Sequence, residues 1–150
     1  DSLKNFVSDS SFESGDIWKN TKWILEDTKS SLQIEKNKAN VHSENNSISY
    51  WKDSNFNFKI YQKIDGLENG TYKLSVWSMG EKGKKSLYLY SNNGSLENKT
   101  SVIDSGWSKW NKFEINNINV VNGSLEIGIY GNCMSGDWGK IDSFELIRIK

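Results

Sequence analysis

The chain of 150 residues is predicted to be all-β, a two-sheet antiparallel β-sandwich of jelly-roll type. Three observations predict it. Apolar residues recur with a period of two through most of the sequence, and no segment sustains a helical period. Turn signals built on Gly and Asn return about every 8–12 residues, the spacing of a sandwich or barrel. The last stretch is strongly patterned, so a jelly roll would bring it beside the first residues and remove an open edge.

Taken in order, Trp23-Ile24-Leu25 and Leu32-Gln33-Ile34 read as two strands around Asp27-Thr28-Lys29-Ser30. Ile48 and Tyr50 lead into Phe56, Phe58, Ile60 and Ile64, which alternate with Asn57, Lys59, Tyr61 and Lys63. Gly66-Leu67-Glu68-Asn69-Gly70 turns the chain into Tyr72, Leu74 and Val76, and the two runs are expected to pair as one long hairpin with a single buried face. Leu87 and Leu89 point inward with Tyr88 and Tyr90 outward, and Val102 and Ile103 suggest a short strand. Asp104-Ser105-Gly106-Trp107-Ser108-Lys109-Trp110 reads as an aromatic loop, followed by alternating strands through Phe113 and Ile115, then Leu125, Ile127 and Ile129. Ile141 to Ile149 is expected to run near Phe6 and Val7. One domain over residues 1–150 accommodates all of this, without an internal repeat or a Pro-rich linker; Pro is absent.

Composition narrows the function. Mean hydropathy is −0.68, so the core is lean, yet there are seven Trp. That is more than so small a core needs, and Trp on the surface marks binding. Nineteen basic and nineteen acidic residues cancel. Nucleic-acid binding relies on a basic field, which is missing, so aromatics without charge point to neutral ligands. No apolar run approaches the length of a membrane span, and the abrupt start at Asp1 is what an excised domain would show. A single Cys, Cys133, excludes an internal disulfide and a multi-Cys zinc site. His42 is the only His, and nothing around it assembles a nucleophile–base pair.

Residues 132–142 concentrate the signals. They leave one apolar strand, pass through small and polar residues, and enter another. Trp138 stands between Asp137 and Gly139, and Asp142 opens the final strand. A Trp on a loop and an acid at a strand entrance suggest a ligand surface with a structural cation beneath.

Four pieces carry a resemblance to a known family. They are Ser11-Phe12-Glu13-Ser14-Gly15; Ser49-Tyr50-Trp51-Lys52-Asp53-Ser54-Asn55-Phe56-Asn57-Phe58; Gly66-Leu67-Glu68-Asn69-Gly70-Thr71-Tyr72-Lys73-Leu74-Ser75-Val76-Trp77; and Gly128-Ile129-Tyr130 running on to Gly136-Asp137-Trp138-Gly139-Lys140-Ile141-Asp142-Ser143-Phe144-Glu145-Leu146. Together they resemble carbohydrate-binding module family 61, the galactan-binding modules of bacterial endo-β-1,4-galactanases. The resemblance runs from about Phe6 to Ile149. It implies a β-sandwich with a structural calcium ion (Ca2+) that binds β-1,4-galactan without cleaving it. The family pattern ends in two consecutive Asp residues; here the second is Ser143.

The expected sugar platforms are Trp138, Trp51, Trp107 and Trp77. Each has a structural alternative: closing one end of the core for Trp138, or lying beneath a covering loop for Trp77. Trp110, which begins an alternating strand near Phe113, is expected in the core, and Trp18 and Trp23 are expected to be structural. A pyranose is polar at its edge and apolar on its face, and the axial O4 of galactose leaves a C–H patch suited to an indole. Lys52, Asp53, Asn55, Asn132 and Asp137 flank the platforms and are expected to meet hydroxyls, with solvated loop positions as the alternative. Glu13 and Asp142 are the expected calcium ligands, completed by backbone carbonyls of the turn at residues 41–45.

The expected function is therefore non-catalytic binding of β-1,4-galactan, targeting a parent glycoside hydrolase to polysaccharide during plant cell wall degradation. The setting would be extracellular and the module a monomer, without nucleic-acid or membrane partners. Alternatives are a jelly-roll module for arabinan, xylan or mannan, a small glycoside hydrolase, and a structural spacer.

Overall fold

The computed structural model describes residues 3–16, 19 and 21–150, so Trp18 lies outside the described residues. Among the described residues ten strands form two five-stranded sheets. In chain order they are β1 (Ile24–Glu26), β2 (Leu32–Glu35), β3 (Ser47–Trp51), β4 (Phe56–Ile64), β5 (Gly70–Gly80), β6 (Ser86–Asn92), β7 (Glu97–Ser101), β8 (Gly106–Val120), β9 (Leu125–Cys133) and β10 (Trp138–Arg148). Sheet A has the order β1-β4-β9-β6-β7 and sheet B the order β2-β3-β10-β5-β8, with antiparallel pairs throughout. The predicted fold class is the observed one.

Alternation decides which face of each strand is buried. Phe56, Phe58, Ile60 and Ile64 of β4 and Leu125, Ile127 and Ile129 of β9 face Tyr72, Leu74 and Val76 of β5 and Ile141, Phe144 and Leu146 of β10 across one core. At roughly 1.5–3 kcal/mol per buried large apolar side chain, this interior drives folding despite the polar composition. Trp23 belongs to it, with its ring 5.2 Å from Phe12 and 5.0 Å from Phe144 and its indole N–H donated to the Asp9 carbonyl at 2.9 Å.

Pairing differs from expectation in three places. β4 and β5 are not a hairpin: β4 lies between β1 and β9, and β5 between β10 and β8. Their connection crosses from one sheet to the other, with Leu67 buried and its N–H bonded to the Gly123 carbonyl at 2.9 Å. Period-two patterning identifies a buried face but not a neighbour, so two strands facing each other across a core read like two strands side by side. β1 and β2 separate in the same way. Asp27 makes that turn, accepting from the N–H groups of Ser31 (2.8 Å) and Leu32 (2.9 Å). The third edge strand is β7, a polar run at Glu97–Ser101 rather than at Val102–Ile103; Val102 is buried just beyond it.

The terminal stretches meet as expected. Phe6 N–H donates to the Leu146 carbonyl at 2.9 Å, and the Asn5 amide bridges Phe144 and Leu146. A shift of register between Asp142 and Glu145 interrupts β10 at Ser143, whose φ is +58°.

Candidate functional site

Trp51 ends β3 and Trp138 begins β10, and the two are direct partners in the ladder. Their neighbours Tyr50 and Gly139 point into the sandwich, so both indoles stand on the outer face of sheet B, side by side. Trp51 is 49% exposed and Trp138 is partly covered. The next outward pair along the same strands is Ser49 and Lys140. Lys140 Nζ donates to Ser49 Oγ at 2.8 Å and pairs with Glu35 Oε1 at 3.1 Å. Burial pushes the Glu35 carboxyl up, but the Asn37 N–H and the Lys140 ammonium outweigh it and hold the carboxyl below its usual range. The Asn40 amide donates to Glu35 Oε1 at 3.2 Å and accepts the Trp107 indole N–H at 2.9 Å. A polar string, Trp107–Asn40–Glu35–Lys140–Ser49, thus lies on the face that carries the paired indoles. Trp107 is 59% exposed and opens β8 instead of lying in a loop.

The loop before Trp138 is locked. Met134 N–H donates to Asp137 Oδ2 at 2.7 Å, and Asp137 N–H returns a bond to the Met134 carbonyl at 3.0 Å. Gly136 N–H reaches the Lys52 carbonyl at 2.8 Å, and Ser135 N–H reaches the Asn55 side chain at 2.9 Å. The turn after Trp51 and the loop before Trp138 therefore form one clasp that sets the spacing of the two rings. Lys52 and Asp53 sit in it beside Trp51, Lys52 half-buried and Asp53 exposed.

Beneath the clasp is a buried charge cluster. Lys85 Nζ donates to Asp104 (2.7 Å), to Tyr50 Oη (2.6 Å) and to the Trp138 carbonyl (3.1 Å). Glycine at 139 is required here: a Cβ at that position would lie 2.2 Å from Tyr50 Oη.

Three expected platform or hydroxyl residues lie elsewhere. Asp137 is buried, with its carboxylate committed to Met134 and to the neighbourhood of Glu81, so it shapes the loop and does not face a ligand. Asn132 is exposed on sheet A, in register with Asn57 and Ser86, on the opposite side of the sandwich from the indole pair. Trp77 is on the outer face of sheet B, but His42 stacks on it at 4.2 Å and 18°, and the same imidazole lies 5.4 Å from Trp110. Burial pushes the His42 imidazole below its usual pKa, which suits a neutral ring packed between indoles. Trp110, expected in the core, is thus on the outer face beneath the 36–46 connection. Lys140, Glu35 and Asn40 were not anticipated. Lys140 was within reach, being two residues from Trp138 on a strand and hence on the same face; Glu35 and Asn40 depend on pairing that the sequence does not reveal.

Glu13 and Asp142 converge on the 42–46 segment. Asp142 is fully buried and accepts N–H groups from His42 (3.0 Å), Ser43 (2.8 Å) and Ser143 (2.8 Å). Glu13 accepts those of Asn45 (3.1 Å) and Asn46 (2.8 Å). Burial raises the Asp142 carboxyl to about 7, against the N–H donors of Ser43, Ser143 and His42, and the Glu13 charge adds to the rise. Neither acid has a salt-bridge partner among the described residues. That electrostatic deficit fits a cation. Among the described residues no group of three His, Cys, Asp or Glu side chains surrounds the place, so ligands beyond the two carboxylates would be backbone and hydroxyl oxygens.

Comparison with known proteins gives no matching family model and no matching curated protein. Solved structures do match. TmCBM61 in complex with β-1,4-galactotriose is 30% identical, with a TM-score of 0.88 over 97% of this chain and 99% of that one. The CBM22-1 xylan-binding domain of Paenibacillus barcinonensis Xyn10C is 13% identical, with a TM-score of 0.63 over 99% of this chain and 97% of that one. The enzymatically active domain of bacteriophage CBA120 tailspike protein 4 is 16% identical, with a TM-score of 0.74 over 97% of this chain but 21% of that one. The latter two share the fold. The first, similar in sequence over nearly the full length of both chains, places this chain in carbohydrate-binding module family 61.

Proposed function

We propose that this module binds β-1,4-linked galactan without cleaving it and holds a parent glycoside hydrolase on that polymer. The observation that carries the proposal is the register pairing of Trp51 with Trp138 on an open sheet face, with Lys140, Glu35 and Asn40 beside them. Adjacent indoles offer apolar faces to successive pyranose rings, and the polar string offers both donors and acceptors to hydroxyls. The galactotriose bound by the 30% identical relative supports the choice of sugar. Two or three ring contacts at roughly 0.5–1.5 kcal/mol beyond area burial, with a few hydrogen bonds, give an affinity in the micromolar range, about −8 kcal/mol. The gain for the enzyme is local concentration by tethering, outside the cell where plant cell wall polymers lie. Titration with β-1,4-galactotriose, followed by heat and tryptophan fluorescence, tests this; silence in both signals would sink it.

A structural calcium ion belongs to the same proposal. Glu13 and Asp142 would hold it, and bound there it would neutralise two carboxylates that both reach the 42–46 segment. The chain's own part is to bring the acid near its start and the acid of β10 to one loop. That loop also carries His42 onto Trp77, so order at Glu13 and Asp142 reaches the outer face of sheet B.

A further inference from the structure

The outer face of sheet A carries a second aromatic surface. Two rows of side chains cross its strands. One row runs Ile24, Tyr61, Gly128, Tyr90, Lys99, and the next runs Glu26, Lys59, Tyr130, Tyr88, Ser101. Tyr130 lies at the centre, with ring centroids 5.4 Å from Tyr88 and 5.5 Å from Tyr90. Gly128 brings the strands close: a Cβ there would fall 2.3 Å from the Ile60 carbonyl oxygen. An open cavity of about 360 Å³ on this face is lined by Glu26 of one edge strand, Glu97 of the other, and Asn57, Phe58, Lys59 and Tyr130 between them. That volume is in the roughly 300–1,000 Å³ range of small-ligand sites.

The chemistry of this trough selects its occupant. Charges of both signs line it, Glu26 and Glu97 against Lys59; Lys59 also pairs with Glu126 at 3.4 Å, and Lys59 and Lys99 lie over the rings of Tyr61 and Tyr88 at 4.4 and 4.8 Å. With two carboxylates and a single ammonium in the lining, the trough has no basic cluster to hold an anion. Tyr130 offers a ring that carries no lysine among the described contacts, and Asn57, Lys59, Glu26 and Glu97 stand around it as donors and acceptors. An aromatic floor inside a mixed rim of hydrogen-bonding groups matches an uncharged, hydroxyl-rich ring.

We infer that this trough is a second glycan site, taking a neutral oligosaccharide across the strands of sheet A with one pyranose on Tyr130. It lies on the opposite side of the sandwich from Trp51 and Trp138, so the module would grip two polymer segments at once. Avidity would then make retention on polymer exceed affinity for a short oligosaccharide.

The test titrates β-1,4-galactotetraose and xylohexaose into wild type, Tyr130→Ala, Lys59→Ala and Trp51→Ala/Trp138→Ala, by calorimetry and tryptophan fluorescence. Wild type is expected to bind two oligosaccharides per chain. Tyr130→Ala should lose one event and keep the fluorescence response, Lys59→Ala should weaken the same event at least several-fold with the ring still in place, and the Trp variant should keep only that event. Heat abolished by the Trp variant, with Tyr130→Ala and Lys59→Ala both binding as wild type, overturns the trough alone. Heat abolished by Tyr130→Ala and weakened by Lys59→Ala, with the Trp variant unchanged, supports the trough and overturns the indole site. No heat from either oligosaccharide overturns both.

Discussion

Lys85 should be among the least replaceable side chains in the module. Its side chain is 2% exposed and that of Asp104 is 0% exposed, and their 2.7 Å contact is closed off from solvent under the clasp. Lys85→Met keeps the stem and removes the ammonium. Asp104 then retains the Ser78 hydroxyl at 2.7 Å and a long contact to Tyr50 Oη at 3.5 Å, with no positive partner. Breaking a buried pair on one side costs about 3–5 kcal/mol because the other charge stays buried. For a chain of this length roughly 2–4 °C of Tm accompanies each kcal/mol, so Tm should fall by about 6–20 °C. Lys85→Met/Asp104→Asn removes both charges and leaves an acceptor for Ser78, and it should recover more than half of the loss. Thermal and urea denaturation of the four members of this cycle measure the coupling directly. A Lys85→Met protein within 1 kcal/mol of wild type, on the scale of exposed pairs, would refute the argument that the ion pair is desolvated.

Other consequences follow from the same geometry. Gly139→Ala drives a methyl into Tyr50 Oη and should cost at least about 1–3 kcal/mol, read as a lower urea midpoint; an unchanged midpoint would mean Tyr50 has room to move. Burial, and then the nearby Asp137 carboxylate, raise the Glu81 pKa above its usual 4.5. A folded-state pKa above the unfolded one contributes stability below pH 4.5 that is lost as pH rises through the folded value. Glu81→Gln should therefore raise Tm relative to wild type at pH 8 and have little effect at pH 4, and equal effects at both would contradict the assignment. Calcium should raise Tm of the wild type and fail to do so for Asp142→Ala; melting curves identical with calcium and with chelator would remove calcium from the account.

Much of this architecture was legible because burial imposes a period of two on strands, and that period survives in the sequence at β4, β5, β9 and β10. Partners were not legible. Nothing in the alternation of Phe56 to Ile64 distinguishes a neighbour in the same sheet from one across the core, and the 65–69 connection looks like a hairpin turn whichever it joins. The site divides along the same line. Trp51 stood out as an aromatic out of phase with Ile48 and Tyr50, and Trp138 as a loop indole between Asp137 and Gly139. Their adjacency, and the arrival of Glu35 and Asn40 beside Lys140, depend on the β2–β3–β10 order. Asp137 shows the opposite error: an acid beside an exposed Trp looked available, while the local turn consumes it through the Met134 N–H. Trp77 lost its open face to His42, a contact across more than thirty residues of chain that no local pattern encodes.

The central claim is that the Trp51–Trp138 pair is the galactan surface. Its most direct test is calorimetric titration of β-1,4-galactotriose into wild type and Trp51→Ala, with matched circular dichroism spectra to establish that both are folded. The account predicts micromolar binding by wild type, with tryptophan fluorescence changing as sugar is added, and at least a tenfold weaker affinity for Trp51→Ala, about 1.4 kcal/mol or more. Wild-type affinity in a folded Trp51→Ala protein would contradict it.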